Sequence, residues 1–554
     1  MGANSASRGD ASLTSNDSAT PLKNESRVFI SKVDSGTSEE SNQLEKNPFL
    51  DPKVEEFYRE IYSSSKYESY VAFDPHFTWT EEEEKKVVWK LNFRVALAAC
   101  LMFMGLQVDR GNLAQAVTDN MLKDLHLTTD DYNTGNTIFY VCFLGAEIPS
   151  QLISKALGPD IFIPIQICAW SIVAMSQAAL SGKASFYATR ALIGALEGGF
   201  IADLVLWLSY FFTSKELPVR LSWFWTTLSL VQIATSLLAF GILRLRTWGW
   251  HGWQFLFLIE GGFTLAIGIA SWFLMVPSAV QTKTWYNPKG WFTDREEKIV
   301  VNRVLRDDPS KGSMHNRQAI SPRMLWKCLT DYDLWPIYAI GLVAYIGQST
   351  FTAYFGLINR QLGFNVFNTN LLTIPQAVIH IIFLLAITWL SERVNERALV
   401  CLIAPIYATP IMGVIRWWSG SGKQIWSTWV LNTLYMGQPY IHAICVSWVS
   451  RNSNSVRTRS ICSAVYNMFV QLGSIVANFI YREDDKPQYH RGNMQLFVLT
   501  LILIPILVLA KGYYVWRNKT RDKIWNAMSE EDRNDYRENT KDEGNRRLDF
   551  RFDT

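Results

Sequence analysis

The stretch LNFRVALAACLMFMGLQVDRGN, residues 91–112, contains fourteen consecutive uncharged residues before it reaches Asp109. A predominantly apolar run of about 20 residues is long enough to cross the roughly 30 Å hydrocarbon core of a bilayer. Within lipid, every backbone amide must find its hydrogen-bond partner inside the segment, so a run of this length is helical. The stretch therefore predicts a transmembrane helix with a carboxylate and a guanidinium, Asp109 and Arg110, near its end.

Eleven further runs of this kind follow. In the first half of the chain they cover about 135–157, 161–181, 186–210, 219–243 and 253–276. In the second half they cover about 333–357, 368–391, 398–418, 425–449, 460–480 and 494–515. We predict an all-α membrane protein with twelve transmembrane helices in two six-helix bundles.

Polar segments separate these runs and define the expected domains. We expect a disordered cytoplasmic N-terminal tail over 1–72, an N-terminal six-helix bundle with a preceding amphipathic helix over 73–276, a cytoplasmic central loop over 277–332, a C-terminal six-helix bundle over 333–516 and a cytoplasmic C-terminal tail over 517–554. Capping patterns predict two helices outside the membrane, one beginning after Thr80 and one after Thr293, three residues before Glu296. The second helix is either a surface helix coupled to a gate or a tether lying against the membrane.

The composition excludes several classes of protein. The chain is 49% hydrophobic and 19% charged, whereas soluble domains carry about 25% charged residues. A net charge of +3 gives no indication of a nucleic-acid partner. The seven cysteines and seven histidines show no metal-ligand spacing, so we expect no metal and no cofactor. A membrane enzyme is disfavoured because no nucleophile–base pattern is present.

Orientation follows from the distribution of lysine and arginine. The central loop, the C-terminal tail and the flank Lys85, Lys86 and Lys90 carry the basic residues that are typical of the cytoplasmic side. The short loops do not discriminate between the two sides. An even number of helices places both termini in the cytoplasm.

Asp109 and Arg110 are the first candidate functional residues. A charged side chain at the bilayer centre costs about 2.5–3.5 kcal/mol, so such residues face a cavity or a partner. As helical neighbours they point about 100° apart. They are either a proton-carrying carboxylate beside a substrate-binding guanidinium or an interfacial ion pair at a helix end.

The fourth run, RALIGALEGGF at 190–200, contains a second group of charges. Arg190 and Glu197 are seven residues apart and share one helix face, so they form either a switchable pair or a structural bridge. Gly194 and Gly198 allow another helix to approach closely.

Other candidates are acids that favour structural roles and polar groups in the second half. Glu147 and Pro149 occur in FLGAEIPSQL, and Glu260 occurs in GWQFLFLIEGG. We expect these acids to anchor helix contacts, with proton carriage as the alternative. In the second half, Tyr345, Gln348 and Asn467 are among the side chains able to hydrogen-bond a polar ligand at little charge cost. His380 and His442 are expected to be core or rim histidines.

Several motifs in the right order resemble one transporter family. DRGNL after the first run, AEIPSQL in the second, RALIGALEGGF in the fourth and GWQFLFLIEG in the sixth resemble the anion:cation symporter branch of the major facilitator superfamily. The likeness is strongest to the fungal allantoate permease group and runs from about residue 70 to the end. The chain departs from the group's pattern at Gln151 and in the reduced basic motif SKALGPD.

The resemblance implies proton-coupled symport of a small organic anion, a carboxylate, a vitamin or a sulfonate or other sulfur-containing anion. By the same resemblance, Asp109 and Glu197 take protons, Arg110 meets the anion and Arg190 is the gating partner of Glu197. It also implies a multi-pass protein of the plasma membrane, which we expect to act as a monomer in the lipid bilayer. The alternatives are a proton-antiporting exporter and a non-transporting nutrient receptor of the same fold.

Overall fold

The computed structural model describes residues 47–65, 67–213, 216–313, 326, 328–453, 456–540, 542 and 544–554. Within these ranges the regular structure is helical, apart from an isolated bridge between Thr284 and Asn287. The predicted all-α class is confirmed. The side chains that bury apolar surface come from every long helix.

The first half of the chain contains ten helices of interest. They are α1 (Pro52–Ser64), α2 (Glu81–Leu91), α3 (Leu97–Thr118), α4 (Thr129–Leu157), α5 (Pro159–Ser176), α6 (Lys183–Glu197), α7 (Phe200–Ser209), α8 (Leu217–Ile242), α9 (Gly252–Leu274) and α10 (Asp294–Asp307). A π-helical turn at Asn92–Ala96 joins α2 to α3.

The second half begins after the central loop. Its helices are α11 (Trp335–Ala344), α12 (Ile346–Gln361), α13 (Val366–Leu371), α14 (Ile374–Val394), α15 (Ile403–Trp417), α16 (Ile425–Met436), α17 (His442–Ser453), α18 (Val456–Ala477), α19 (His490–Ala527) and α20 (Glu530–Asn539).

Nine helical runs in the described part of the chain are long and apolar enough to cross a membrane. The other three predicted runs also coincide with helices, but these are interrupted or short. The seventh is broken between α11 and α12 at Tyr345, and the tenth between α16 and α17. The apolar part of the eleventh covers only Ile461–Ala477.

The first transmembrane helix is longer than the sequence indicated. It runs without a break from Glu81 to Thr118, whereas we expected it to end near residue 112. Asp109 therefore lies about 13 Å inside the helix end at the 1.5 Å rise of an α-helix. The interpretation of Asp109 and Arg110 as an ion pair at a helix end is wrong, because the polar residues after Arg110 continue the helix.

The N-terminal segment also differs from the prediction of disorder through residue 72. Residues 47–65 and 67–72 are packed, with Phe49 and Tyr62 buried. Phe49 stacks edge-on against Phe73 at 5.1 Å between ring centroids, and the Tyr62 hydroxyl donates to the carbonyl of Pro309 at 2.7 Å. This aromatic cluster supplies the apolar surface that orders the segment. The remainder of the predicted tail, residues 1–46, lies outside the described residues.

The predicted N-cap at Thr80 before α2 and the predicted capping box at Thr293 before α10 are both confirmed, and Thr80 also forms a capping box, with Glu83. Helix α10 buries one apolar face on the first half of the protein. Its Arg303 donates to Glu216 Oε1 at 2.7 Å and to the carbonyl of Phe211 at 3.0 Å. The central-loop helix therefore packs on protein at the end of the first bundle.

Hydrogen bonds between the two halves cluster at the opposite end of the molecule. The Asn133 amide donates to the carbonyl of Tyr481 at 2.7 Å, and the Thr129 N–H donates to Glu483 at 2.8 Å. Further bonds join Thr118 with Asn370, Ser236 with Thr373 and Thr137 with Asn478. The halves are thus joined at the end that carries residues 119–128 and 481–489.

The last five residues, 550–554, form a segment we call the C-terminal strap. The carbonyl of Asp553 accepts from Trp448 Nε1 at 2.8 Å, and its N–H donates to Asn452 Oδ1 at 2.8 Å. The carbonyl of Thr554 accepts the backbone N–H of Arg397 at 2.9 Å. The strap therefore fastens the predicted C-terminal tail to helix α17 and its neighbours.

Replacing Asn452 by Ala is expected to loosen the strap. The change leaves the half-buried N–H of Asp553 without its partner, and a lost hydrogen bond of this kind costs about 1 kcal/mol, or roughly 5-fold in the opening equilibrium. Trypsin cleavage after Arg547 and Arg551 should accelerate accordingly, while the exposed control Asn526→Ala should cleave at the wild-type rate. Equal rates in both variants would contradict the assignment of the strap.

Candidate functional site

An ion pair between two helices lies at the centre of the first half. Arg110 on α3 donates from Nε to Glu197 Oε2 on α6 at 2.7 Å. The Glu197 side chain is fully buried, whereas 21% of the Arg110 side chain is exposed. A buried carboxylate of this kind needs a counter-charge, and Arg110 supplies it.

Arg110 retains donor capacity beyond this bond. Its guanidinium lies over the ring of Phe143 at 4.9 Å and that of Phe139 at 5.8 Å. Its Nη2 has no hydrogen-bond partner among the described residues. This Nη2 is buried, so its donor becomes available to an oxyanion only if the guanidinium, which is partly exposed as a whole, shifts towards the solvated side.

Asp109 faces a different environment from its neighbour, as the helical angle between them predicts. It is 1% exposed, and its Oδ2 accepts from the indole Nε1 of Trp170 on α5 at 3.1 Å. Its other oxygen has no partner in the described structure. Asp109 thus lies in a dry pocket between α3, α5 and α9, while Arg110 lies on the wetter side.

Arg190 does not pair directly with Glu197 in this conformation. Its Nη2 donates to Asn136 Oδ1 at 3.4 Å, and its guanidinium lies 4.5 Å from the ring centroid of Phe139. The ion pair within one helix that the sequence suggested is replaced by the Arg110–Glu197 pair, because Arg110 reaches the carboxylate from α3. Phe139 therefore lies close to both guanidinium groups.

A helix break next to Glu197 sets its position. Gly199 adopts φ +81°, a left-handed conformation that side chains disfavour. The carbonyl of Gly198, released from the helix by the break, accepts from Gln166 Nε2 at 2.8 Å. A side chain at Gly194 would overlap the carbonyl of Phe139 on α4, so this glycine lies at a close helix contact. Glu197 therefore ends α6 at a fixed place against α4.

Glu147 and Glu260 are the two other buried acids named from the sequence. Glu147 precedes Pro149 within α4 and lies within electrostatic reach of Arg110. Glu260 on α9 is 1% exposed, and neither of its carboxylate oxygens has a hydrogen-bond partner in the described structure. Asp109 lies within electrostatic range of Glu260.

In the second half, Tyr345 and Gln348 line one cavity together with Gln438 and Tyr440. The Tyr345 and Tyr466 hydroxyls are 2.9 Å apart. Asn467 is half-buried on α18 and does not line this cavity. Two of the three substrate-binding candidates therefore lie together, and the third lies apart from them.

The aromatic cluster beside Tyr345 reaches the first half. Its ring is 5.5 Å from His442, whose imidazole lies 5.1 Å from the ring of Trp225 on α8. His442 is buried, as expected, and its Nδ1 has no partner among the described residues. Trp225 therefore brings the first half into contact with the aromatic cluster around Tyr345.

Sequence analysis missed the neutral residues that hold the charged ones. These are Trp170, Asn136, Phe139, Phe143 and Gln166. Aromatic and amide side chains occur throughout the apolar runs, so their pattern does not distinguish these five. Across the described residues, no group of three or more His, Cys, Asp or Glu side chains is placed to hold a metal ion.

Comparison with known proteins identifies relatives over most of the chain. A family model described as Major Facilitator Superfamily matches residues 95–478. An uncharacterized transporter of Saccharomyces cerevisiae, YIL166C, is 43% identical over 519 residues, covering 93% of this chain and 95% of the relative. The major facilitator-type transporter hxnP of Emericella nidulans is 27% identical over 461 residues, covering 80% of this chain and 88% of the relative.

Solved structures share the fold at low identity. A bacterial homologue of the human lysosomal transporter Spinster, in an inward-facing and occupied conformation, matches with a TM-score of 0.55 at 12% identity, covering 75% of this chain and 96% of its own. The xylose transporter XylE of E. coli, in a partially occluded inward open conformation, matches with a TM-score of 0.55 at 13% identity, covering 74% and 96%.

Replacing Gly194 by Ala is expected to force α6 away from α4. The added methyl overlaps the Phe139 carbonyl, and overpacking of this kind costs about 1–3 kcal/mol. Thermal unfolding in detergent should shift to lower temperature. Gly145→Ala on α4 is the matched control, because a Cβ there meets nothing within 4 Å. A stability of Gly194→Ala equal to that of the control would contradict the close contact.

Proposed function

Because this chain belongs to the major facilitator superfamily of membrane transporters, we propose that it carries a small organic anion together with protons by alternating access. The two halves rock around a site between them, so the site opens to one side of the membrane at a time. The observation that carries the proposal is the ion pair between Arg110 and Glu197.

Protonation of Glu197 changes what Arg110 can bind. While Glu197 is ionised, it neutralises the guanidinium and competes with an incoming anion. When Glu197 takes a proton, the guanidinium loses its counter-ion and attracts an oxyanion instead. The anion and the proton therefore bind together, which is the requirement for symport.

The energetics favour this stoichiometric link. Against an inside-negative potential, an anion loses about 2.3 kcal/mol per charge per 100 mV. One proton carried with a monoanion cancels that charge, and each unit of pH gradient then contributes about 1.4 kcal/mol. Uptake should accordingly increase when the external solution is made more acidic, and it should stop when a protonophore removes the proton gradient.

Asp109 and Arg190 complete the proposed mechanism in the first half. Asp109 is the second proton site, since its carboxyl group is buried and its Oδ1 has no hydrogen-bond partner among the described residues. Arg190 is the gating residue: it contacts the same Phe139 ring as Arg110 and supplies the counter-charge to Glu197 when the proton leaves before Arg110 has released the substrate. Glu147 and Pro149 keep a structural role on α4.

The second half contributes polar contacts to the non-ionic part of the substrate. Tyr345 and Gln348 line the same cavity, and Asn467, on α18 of the same half, is assigned a separate contact with the substrate. Phenol and amide groups bind ligands at little charge cost. This set suits a small carboxylate, a vitamin or a sulfonate or other sulfur-containing anion.

The bonds between Asn133 and Tyr481 and between Thr129 and Glu483 close one end of the molecule. We assign that end to the extracellular side, with both termini and α10 in the cytoplasm and the protein in the plasma membrane. The described conformation is then the one that releases substrate inwards.

Replacing Arg110 by Ala should abolish uptake, because the anion loses its counter-charge. A host deleted for the transporter is first grown on a panel of sole sulfur, nitrogen and vitamin sources, and labelled uptake is measured for the compounds that restore growth. Uptake should be saturable, stimulated by acid and abolished by a protonophore. Arg482→Ala, an exposed arginine outside the site, is the matched control.

Unchanged transport by Arg110→Ala at normal surface expression would remove Arg110 from the site. Ligand binding without flux in the wild-type protein would identify a receptor. Outward movement of apolar cations would identify an exporter.

A further inference from the structure

We propose that Glu260 exchanges protons and forms, with Asp109, a coupled proton-binding pair. The inference rests on the proposed symport function and extends it, since it moves Glu260 from a structural role to the proton pathway. The two acids lie on neighbouring helices, Asp109 on α3 and Glu260 on α9.

Two contacts fix that register. At the end of α3, Asp119 Oδ2 accepts the N–H of Trp253 at the beginning of α9, at 3.0 Å. Further along, the Cβ position of Gly105 lies 3.1 Å from Thr264 Cγ2. Asp109 is one turn from Gly105, and Glu260 is one turn from Thr264, in the same direction along these antiparallel helices. The two carboxyl groups therefore lie at about the same level along the axes of α3 and α9.

The pocket around them is dry. Asp109 and Glu260 are each 1% exposed, and the Cβ position of Gly261 lies 2.8 Å from Met175 Cγ on α5. Neither oxygen of Glu260 has a hydrogen-bond partner among the described residues, whereas Asp109 has the Trp170 indole. An ionised carboxylate without a donor in such surroundings is strongly disfavoured, and two such charges side by side more so.

The charged groups on the neighbouring helices leave Glu260 with Asp109 as its electrostatic partner. Helix α3 presents Asp109, with Arg110 turned towards Glu197. Helix α5 carries Asp160 in its first turn and Cys168, which contacts Gly268 two turns further along α9. On α8 the titratable residue is Arg220, which bonds Asn92 before α3 begins. The repulsion from Asp109 is therefore uncompensated.

This arrangement continues towards the exposed side of the site. Asp109 interacts electrostatically with Glu197, and Glu197 bonds Arg110, which is partly exposed. Three acids thus follow one another from the dry pocket to the substrate-facing guanidinium. Rows of buried acids of this kind are typical of proton relays in transporters.

Infrared spectroscopy of the purified full-length protein in lipid nanodiscs tests the pair without any substrate. The absorption of protonated carboxyl groups is followed against pH in the wild type, Asp109→Asn, Glu260→Gln and the control Asp124→Asn, an acid that also accepts from a tryptophan. A coupled pair predicts two wild-type steps from Asp109 and Glu260, beside the step of Glu197. Glu260→Gln should leave one of the two, displaced by about one pH unit or more from the upper step of the wild-type pair.

Two outcomes would overturn the proposal. If Glu260 is permanently neutral, Glu260→Gln leaves the wild-type steps unchanged, since one neutral side chain replaces another. If Glu260→Gln does not fold, Glu260→Asp is measured instead, because it keeps an acid on a side chain shorter by one methylene. Both titration steps of the pair should then be present, at pH values different from those of the wild type. Steps identical to those of the wild type in Glu260→Asp would likewise overturn the pair.

Transport separates this proposal from the proposed function. With a labelled anion identified by the growth panel, Glu260→Gln should lose acid stimulation of uptake, while Asp124→Asn retains it. If the wild type shows the two steps but moves no anion at any pH, the symport function fails and the pair stands. If the wild type is acid-stimulated and Glu260→Gln keeps that stimulation, the pair fails and the symport function stands.

Discussion

The bond between Arg110 and Glu197 is the interaction on which the rest of the site depends. Glu197 is fully buried, so its charge is tolerated only beside a cation, and Arg110 comes to it from another helix. The surrounding structure serves this placement. The Gly198–Gly199 break ends α6 at Glu197, the Gly194 contact holds α6 against α4, and the rings of Phe139 and Phe143 cover the guanidinium. In the proposed mechanism, a ligand or proton that enters the site competes for one member of this pair.

Outside the predicted transmembrane helices, each half of the protein is held together by its own polar segment. Helix α10 holds the first half through Arg303 and Glu216. The C-terminal strap holds the second half through Trp448 and Asn452. The bonds that join the halves lie at the other end of the molecule. A carrier that rocks about a central site needs this separation, since each half must stay intact while the contacts between the halves open and close.

Much of this architecture was predictable because hydrocarbon imposes strict demands on sequence. The apolar runs predicted where the transmembrane helices lie. The charged residues inside those runs, Asp109, Arg110, Glu197 and Glu260, were predicted as candidates for the site. The length of the first helix was not predictable, because the polar residues after Arg110 resemble a loop but continue the helix to Thr118. The partner of Glu197 was not predicted either. The spacing within α6 suggests Arg190, but it contains no information on Arg110, which approaches Glu197 from the separate helix α3. Order in residues 47–72 depends on aromatic packing against Phe73 and on a hydrogen bond from Tyr62 to the distant Pro309, which the local composition does not reveal.

Direct anion binding to the purified protein is the most decisive measurement for the central claim. The account holds that protonation of Glu197 releases Arg110 to the substrate. Glu197→Gln mimics the protonated acid, so it should bind the transported anion at neutral pH as tightly as the wild type does at acid pH, with little further change on acidification. An affinity in Glu197→Gln that is as weak at neutral pH and as strongly pH-dependent as in the wild type would contradict the account.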